Sequence, residues 1–278
     1  MIAAATALGL VAIVLAWPVP ALLPGATWAY QRPTVGLLVW QIVALVGGTS
    51  MIGSLVLLGA ATFATDLPDA AAGMWKFVTD NELPEGSSVW SLLFLSGAIF
   101  LTAHLLLNLL VTVVYAERER ARHAQLITLL SEPMIDRPGT RLIDTPAPVA
   151  YCLPGALTSI TVLSAGLIQL LDEEELQAVI EHERAHVRLR HDIVLILFTA
   201  WKVSLQWLPT ARNASREVAL LLEMQADDNA LKSVARVSLA RAITVVSEGG
   251  SLPQRSELSA ALPEPTPKEL RARLLRLA

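Results

Sequence analysis

His182, Glu183 and His186 stand in the order His-Glu-x-x-His, with Arg184 and Ala185 between them. Four residues is little more than one helical turn, so on a helix the two imidazoles share a face and can bind one metal ion. Glu183 then lies beside that ion, where a carboxylate can take a proton from a water the metal has acidified. This is the arrangement of zinc-dependent peptide hydrolysis. The plain alternative is a charged amphipathic helix with two incidental histidines. Chance places such a pattern in a chain of this composition with a probability of only about one per cent.

A helix must present these residues, and its start is visible. Asp172 and Glu175 have the spacing of a capping box, and Leu176, Val179 and Ile180 form the apolar stripe behind. The predicted helix runs from about Glu173 to Arg190, with both histidines facing away from the stripe. A zinc peptidase needs a third protein ligand and leaves the fourth position to water. The metzincin pattern would place Gly at position 189 and His at 192. Leu189 and Asp192 stand there and exclude that class. His191 projects elsewhere on such a helix and reads as a surface or supporting residue, not a ligand. A second helix, predicted over Glu217 to Ala230, sets Glu223 and Asp227 four apart on one face. That spacing alone usually means a solvated acidic face. Beside a motif that lacks a third ligand it assigns Glu223 to the metal and Asp227 to a ligand imidazole N–H.

The rest of the chain points to a bilayer. It is 54% hydrophobic and 17% charged, too apolar for an ordinary soluble enzyme of 278 residues. Apolar runs cover Met1 to about Trp17, Val35 to Ala64 and Val89 to Ala116. The second and third exceed the ~20 residues that cross a hydrocarbon layer. The first has no basic stretch before it and reads as a span, not a cleaved signal. Asp66, Asp69, Asp80, Glu82 and Glu85 face a single Lys76 in the loop about 65–88, whereas Arg118, Arg120 and Arg122 follow the third run. Basic flanks mark the cytoplasmic side, so the amino terminus and that loop are expected outside and the remainder in the cytoplasm. The lone Cys152 demands no oxidising compartment, and the net charge of −4 with no basic block offers nothing to nucleic acid. His104, inside the third span, is costly there unless paired, and Asn108 one turn on is the expected partner.

The stretch 193–208 resembles a fourth span. If it crossed, Glu223 would lie on the far side of a ~30 Å core from histidines that must share an ion with it at about 2 Å. Sixteen helical residues reach only ~24 Å, and Lys202 sits among them. The stretch is therefore expected to lie against the bilayer, or to dip and return.

His182-Glu183-x-x-His186 followed by Glu223-x-x-x-Asp227-x-x-Ala230 resembles the gluzincin-type integral-membrane metallopeptidases. The gap 223 − 186 = 37, the three spans ahead, the segment Ile160-Thr-Val-Leu-Ser164 and the phrase Leu171-Asp-Glu-Glu-Glu-Leu176 are similar to the BlaR/MecR antibiotic-sensor peptidases, in particular short actinobacterial members. The HtpX and CAAX-protease group shares the zinc pattern. The resemblance implies one zinc ion, a protein or peptide substrate such as a transcriptional repressor, and a role in signalling. Full-length sensors continue into a penicillin-binding domain; only 278 − 230 = 48 residues follow Ala230, and no such domain is expected.

The expected architecture is thus a mostly α membrane protein. Three transmembrane helices (1–116) precede a cytoplasmic α+β zinc peptidase domain (117–246) with a membrane-associated segment (193–208), then a linker and short helix (247–278). Thr266-Pro267-Lys268-Glu269 opens that helix with a capping box and Pro at its first position. The helix is basic (Arg271, Arg273, Arg276) and should dock on the peptidase domain or an anionic leaflet. Ile160–Ser164, if it is an edge strand, could pair with an extended substrate by backbone hydrogen bonds. Arg236 and Arg241 are the candidates for a cation near the oxyanion. A processing or quality-control peptidase, and a non-catalytic membrane sensor or scaffold, are the alternatives in function.

Overall fold

Proline and small residues decide where the apolar runs become helices. The computed structural model describes residues 1–61, 66–80, 87–153, 160–248 and 266–278. Its first helices are α1 (Ile2–Ala16), α2 (Pro18–Leu22), α3 (Thr27–Gln31) and α4 (Pro33–Ala60), with prolines opening α2 and α4. The loop expected at about 65–88 holds a further helix, α5 (Leu67–Asp80), while Glu82 and Glu85 lie outside the described residues. No proline interrupts residues 89–130, and the next helix, α6 (Val89–Leu130), runs unbroken past Ala116 and its arginines. Ile2–Leu22, Pro33–Ala60 and Val89–Leu130 are long and apolar enough to cross a membrane. Their mutual packing uses small groups: Ser54 Oγ donates to the Ala5 carbonyl at 2.9 Å.

A four-stranded sheet follows, in the order β1 (Ser131–Pro133), β2 (Thr140–Ile143), β4 (Ile160–Ser164), β3 (Ala150–Leu153). β2 pairs parallel with β4, whose other side pairs antiparallel with β3. Ile160–Ser164 is therefore a central strand, and the condition on which it could pair with a substrate is not met. Its residues from Thr161 to Ser164 are all buried, as a central strand covered on both faces requires. The edge nearer the motif helix is β3. Helix α7 (Ala165–Leu170) leaves β4 at once, and Gly166 sits so close to the Pro146 carbonyl that an added Cβ would lie 2.0 Å from its oxygen. Gly166→Ala is expected to cost about 1–3 kcal/mol as backbone is forced aside, read as a drop in the thermal midpoint of the solubilised chain.

The remaining helices are α8 (Glu173–Arg188), α9 (His191–Ser204), α10 (Pro209–Ala230), α11 (Arg236–Glu248) and α12 (Pro267–Leu277). The capping boxes Asp172/Glu175 and Thr266/Glu269 both form. The linker expected from residue 247 falls mostly outside the described residues. Leu176 and Ile180 bury the back of α8 against Leu163, Leu167 and Leu171. Ala178, Ala230, Leu239 and Leu277 join α8 to α10, α11 and α12.

α9 lies antiparallel along α6. Arg120 Nη2 meets Asp192 at its start, and His104 Nε2 lies 3.1 Å from the Ser204 carbonyl at its end. His104 thus serves one of the carbonyls that a helix terminus leaves without an internal partner. Asn108 is a neighbour too, but its Nδ2 donates mainly to the His104 carbonyl, at 2.8 Å. α10 then returns past α4, packing Ala214, Val218 and Leu221 with Leu37, Trp40 and Phe198.

Candidate active site

The return of α10 brings its acidic face onto the histidines of α8. Nε2 of His182 and Nε2 of His186 lie 3.1 Å apart. Glu223 Oε2 is 3.4 Å from the first, and Glu223 Oε1 is 3.6 Å from the second. Ligands about 2.0–2.1 Å from a tetrahedral zinc ion sit about 3.3–3.4 Å from one another. The observed edges fit that triangle without rearrangement, and two imidazoles with one carboxylate is a donor set zinc accepts. Among the described residues no other group of this kind occurs. Cys152, half-buried on β3, is not part of it.

Behind the triangle, His182 Nδ1 lies 2.9 Å from Asp227 Oδ1. This contact turns the other ring nitrogen toward Glu223. Exposure rises from 1% at Asp227 to 37% at Glu223, so the rear of the site is closed and the carboxylate side is open. Glu183 is half-buried, next to the ligands in sequence and near enough to Arg273 for its charge to be felt there. Burial, with a smaller contribution from Glu183, pushes the Cys152 thiol up to about 11, so it is not a nucleophile at neutral pH.

The electrostatics separate the two histidines. Burial opposes charge on His182, but Asp227 and Glu223 outweigh it and lift the ring to about 10. Burial takes His186 down to about 3, against the pull of Glu223 and with the help of His182, His191 and Arg273. Both carboxylates resist protonation: burial raises them, yet Arg273 and the imidazoles prevail, holding Asp227 at about 2 and Glu223 well below the ordinary range.

Arg273 is the residue that sequence reasoning did not connect to the site. From α12 its Nη1 reaches Glu223 Oε2 at 2.9 Å, while Nε and Nη2 donate to Asp227 Oδ2 and Oδ1 at 2.9 and 2.8 Å. Arg276 holds the next turn, donating to Asp228 Oδ1 at 2.6 Å. Neither expected cation comes to the ligands. Arg236 Nη1 donates to the Arg276 carbonyl at 3.2 Å, and Arg241 lines a surface hollow with Glu175, Thr244 and Leu277. Both sit on α11, which packs on the first turns of α8, where Ser238 donates to Glu174 at 3.1 Å. The missed signal was the position of Arg273 among Leu270, Leu274 and Leu277, on the apolar stripe of α12 where a charge needs a partner.

Of the two places expected for His191, surface or support, the structure shows the second. α8 ends at Arg188, and Arg190 takes a left-handed backbone (φ 54°). The chain therefore folds back instead of continuing the helix. The His191 ring, 2% exposed, lands with Nδ1 2.9 Å from His186 Nδ1.

Residues 116–247 match the model of peptidase family M48. The matched stretch, from within α6 to Ser247 in the last turn of α11, carries the His-Glu-x-x-His helix and Glu223 and supports a metallopeptidase; the match stops short of α12. No curated protein matches the chain, and no solved structure does.

Proposed function

We propose that this protein is a membrane-embedded zinc endopeptidase that cleaves a cytoplasmic or membrane-proximal protein. The single observation behind this reading is the triangle of His182 Nε2, His186 Nε2 and the Glu223 carboxylate at zinc-ligand spacing. His182, His186 and Glu223 would hold one zinc ion, whose chemistry when bound would be to lower the pKa of a water towards ~7 and to polarise a scissile carbonyl. Glu183 takes the proton from the attacking water as its oxygen bonds to the carbonyl carbon. The same carboxyl returns the proton to the leaving amine as the C–N bond breaks. Asp227 orients His182, and Arg273 orients Asp227 and Glu223. Arg236, held by the Arg276 carbonyl of α12, and Arg241, beside Glu175 in the first turn of α8, have no part in this mechanism. An extended substrate would pair with β3, the strand edge beside α8.

The topology that goes with this reading puts the amino terminus outside, three spans in the bilayer and the peptidase domain in the cytoplasm, as the arginines after the third apolar run suggest. In this topology α9, held along α6 by Arg120 and His104, dips into the bilayer and α10 carries the chain back. The resemblance to BlaR/MecR peptidases favours regulated cleavage of a repressor. The contact of α9 and α10 with the apolar helices α6 and α4 favours the second reading, processing or quality control of membrane proteins. A purely structural receptor would have no use for Glu183.

Replacing the wild type with Glu183→Gln in cells and comparing protein lengths separates these. A repressor that stays full-length assigns signalling; membrane proteins that stay full-length assign quality control. If no protein changes length, and purified wild-type chain restored with zinc after chelation hydrolyses no peptide, the endopeptidase reading is wrong.

A further inference from the structure

A chain of side-chain contacts leads from metal-ligand candidate His186 to the first turn of α4. His186 Nδ1 lies 2.9 Å from His191 Nδ1. His191 Nε2 lies 3.0 Å from Gln225 Oε1, and Gln225 Nε2 donates to Thr34 Oγ1 at 2.9 Å. Four residues from α8, α9, α10 and α4 thus form one line. The order of protons along it is not free. If His186 offers the Nε2 lone pair to a metal, its Nδ1 must carry the hydrogen. His191 Nδ1 must then accept, which leaves the hydrogen of the neutral His191 ring on Nε2, where it donates to Gln225 Oε1. The Gln225 amide nitrogen is left to donate to Thr34, as observed. The opposite order would put the hydrogen on His186 Nε2 and block the ligand position.

We propose that His191, Gln225 and Thr34 are positioning residues that fix the tautomer and ring orientation of His186, and that they tie this ligand to the apolar helix α4. The inference rests on the zinc-site reading above. It deepens it by giving each ligand histidine its own orienting group: Asp227 for His182, and a neutral three-residue relay for His186. The left-handed turn at Arg190 is what delivers His191 to this position.

The test is zinc affinity of the full chain in detergent, by competition with a chelator, for wild type and paired variants. Loss of an orienting partner costs roughly 10–100-fold in metal affinity. His191→Phe and Gln225→Leu should lose about that much. His191→Gln and Gln225→Glu keep an acceptor at the needed place and should stay within about 3-fold of wild type. Thr34→Val should fall between, since it removes only the last link. Because the chain has 5 histidines, ¹⁵N-histidine labelling gives a second, independent readout. The zinc-loaded wild type should give a protonated Nδ1 at His186, and Gln225→Leu should disturb that signal where Gln225→Glu does not. Wild-type zinc binding with Leu and Glu variants at position 225 indistinguishable in both readouts overturns the relay alone. A wild-type chain that binds no zinc overturns the site reading, and the relay falls with it.

Discussion

Glu183→Gln is expected to leave about one zinc ion per molecule in place and to lower peptide hydrolysis by roughly 10²–10⁴-fold. Glu183 follows ligand candidate His182 directly on α8 but is outside the group of converging ligand atoms. Its amide counterpart keeps the shape of the side chain but exchanges one acceptor oxygen for a donor NH2, loses the charge, and cannot carry a proton between water and leaving amine. Metal analysis of the purified chain and a peptide-turnover assay measure the two halves separately. Turnover equal to wild type would remove Glu183 from the mechanism.

Arg273→Leu is the second large effect. Arg273 is 12% exposed and sits against two carboxylates, donating twice to Asp227 and contacting Glu223. Taking away one partner of a buried charge cluster leaves the others uncompensated, at a cost of about 3–5 kcal/mol. Chemical unfolding of the solubilised chain should show that loss. Arg273→Lys should recover only part of it, because an ammonium replaces the charge but not the planar fork that fits Asp227. Deleting residues 266–278 should resemble Arg273→Leu, since α12 brings this guanidinium to the site. Unchanged stability in both would mean that α12 contributes nothing to the ligand helices.

These two predictions differ in how far the sequence alone supports them. The roles considered for Glu183 and the grouping of His182, His186, Glu223 and Asp227 follow from i, i+4 spacing on two helices, a local rule that survives folding. The same holds for the capping boxes at Asp172 and Thr266. The expectation that 193–208 does not cross a bilayer rests on the same grouping, because ligands of one ion must lie on one side of it. Arg273 was not accessible by such rules. It lies 50 residues past Glu223 in the sequence (273 − 223), and a basic terminal helix reads first as a solvated or lipid-facing element. Arg236 and Arg241 were favoured by nearness in sequence, whereas α11 packs on the opposite end of α8. The choice between surface and support for His191 is not legible in the sequence, because projecting it along a helix requires the helix to continue, and it ends at Arg188 before the left-handed Arg190. Whether β4 is an edge is not legible in its own residues, because its partners β2 and β3 come from separate segments with little strand signal of their own.

X-ray absorption at the zinc edge on the purified, zinc-loaded chain tests the central claim most directly. The account predicts two imidazole nitrogens and carboxylate oxygen at about 2.0–2.2 Å, with no sulfur at ~2.3 Å. Both imidazoles should persist in Glu183→Gln, and one should vanish in His186→Ala. A sulfur ligand from Cys152, or a spectrum unchanged by His186→Ala, would contradict it.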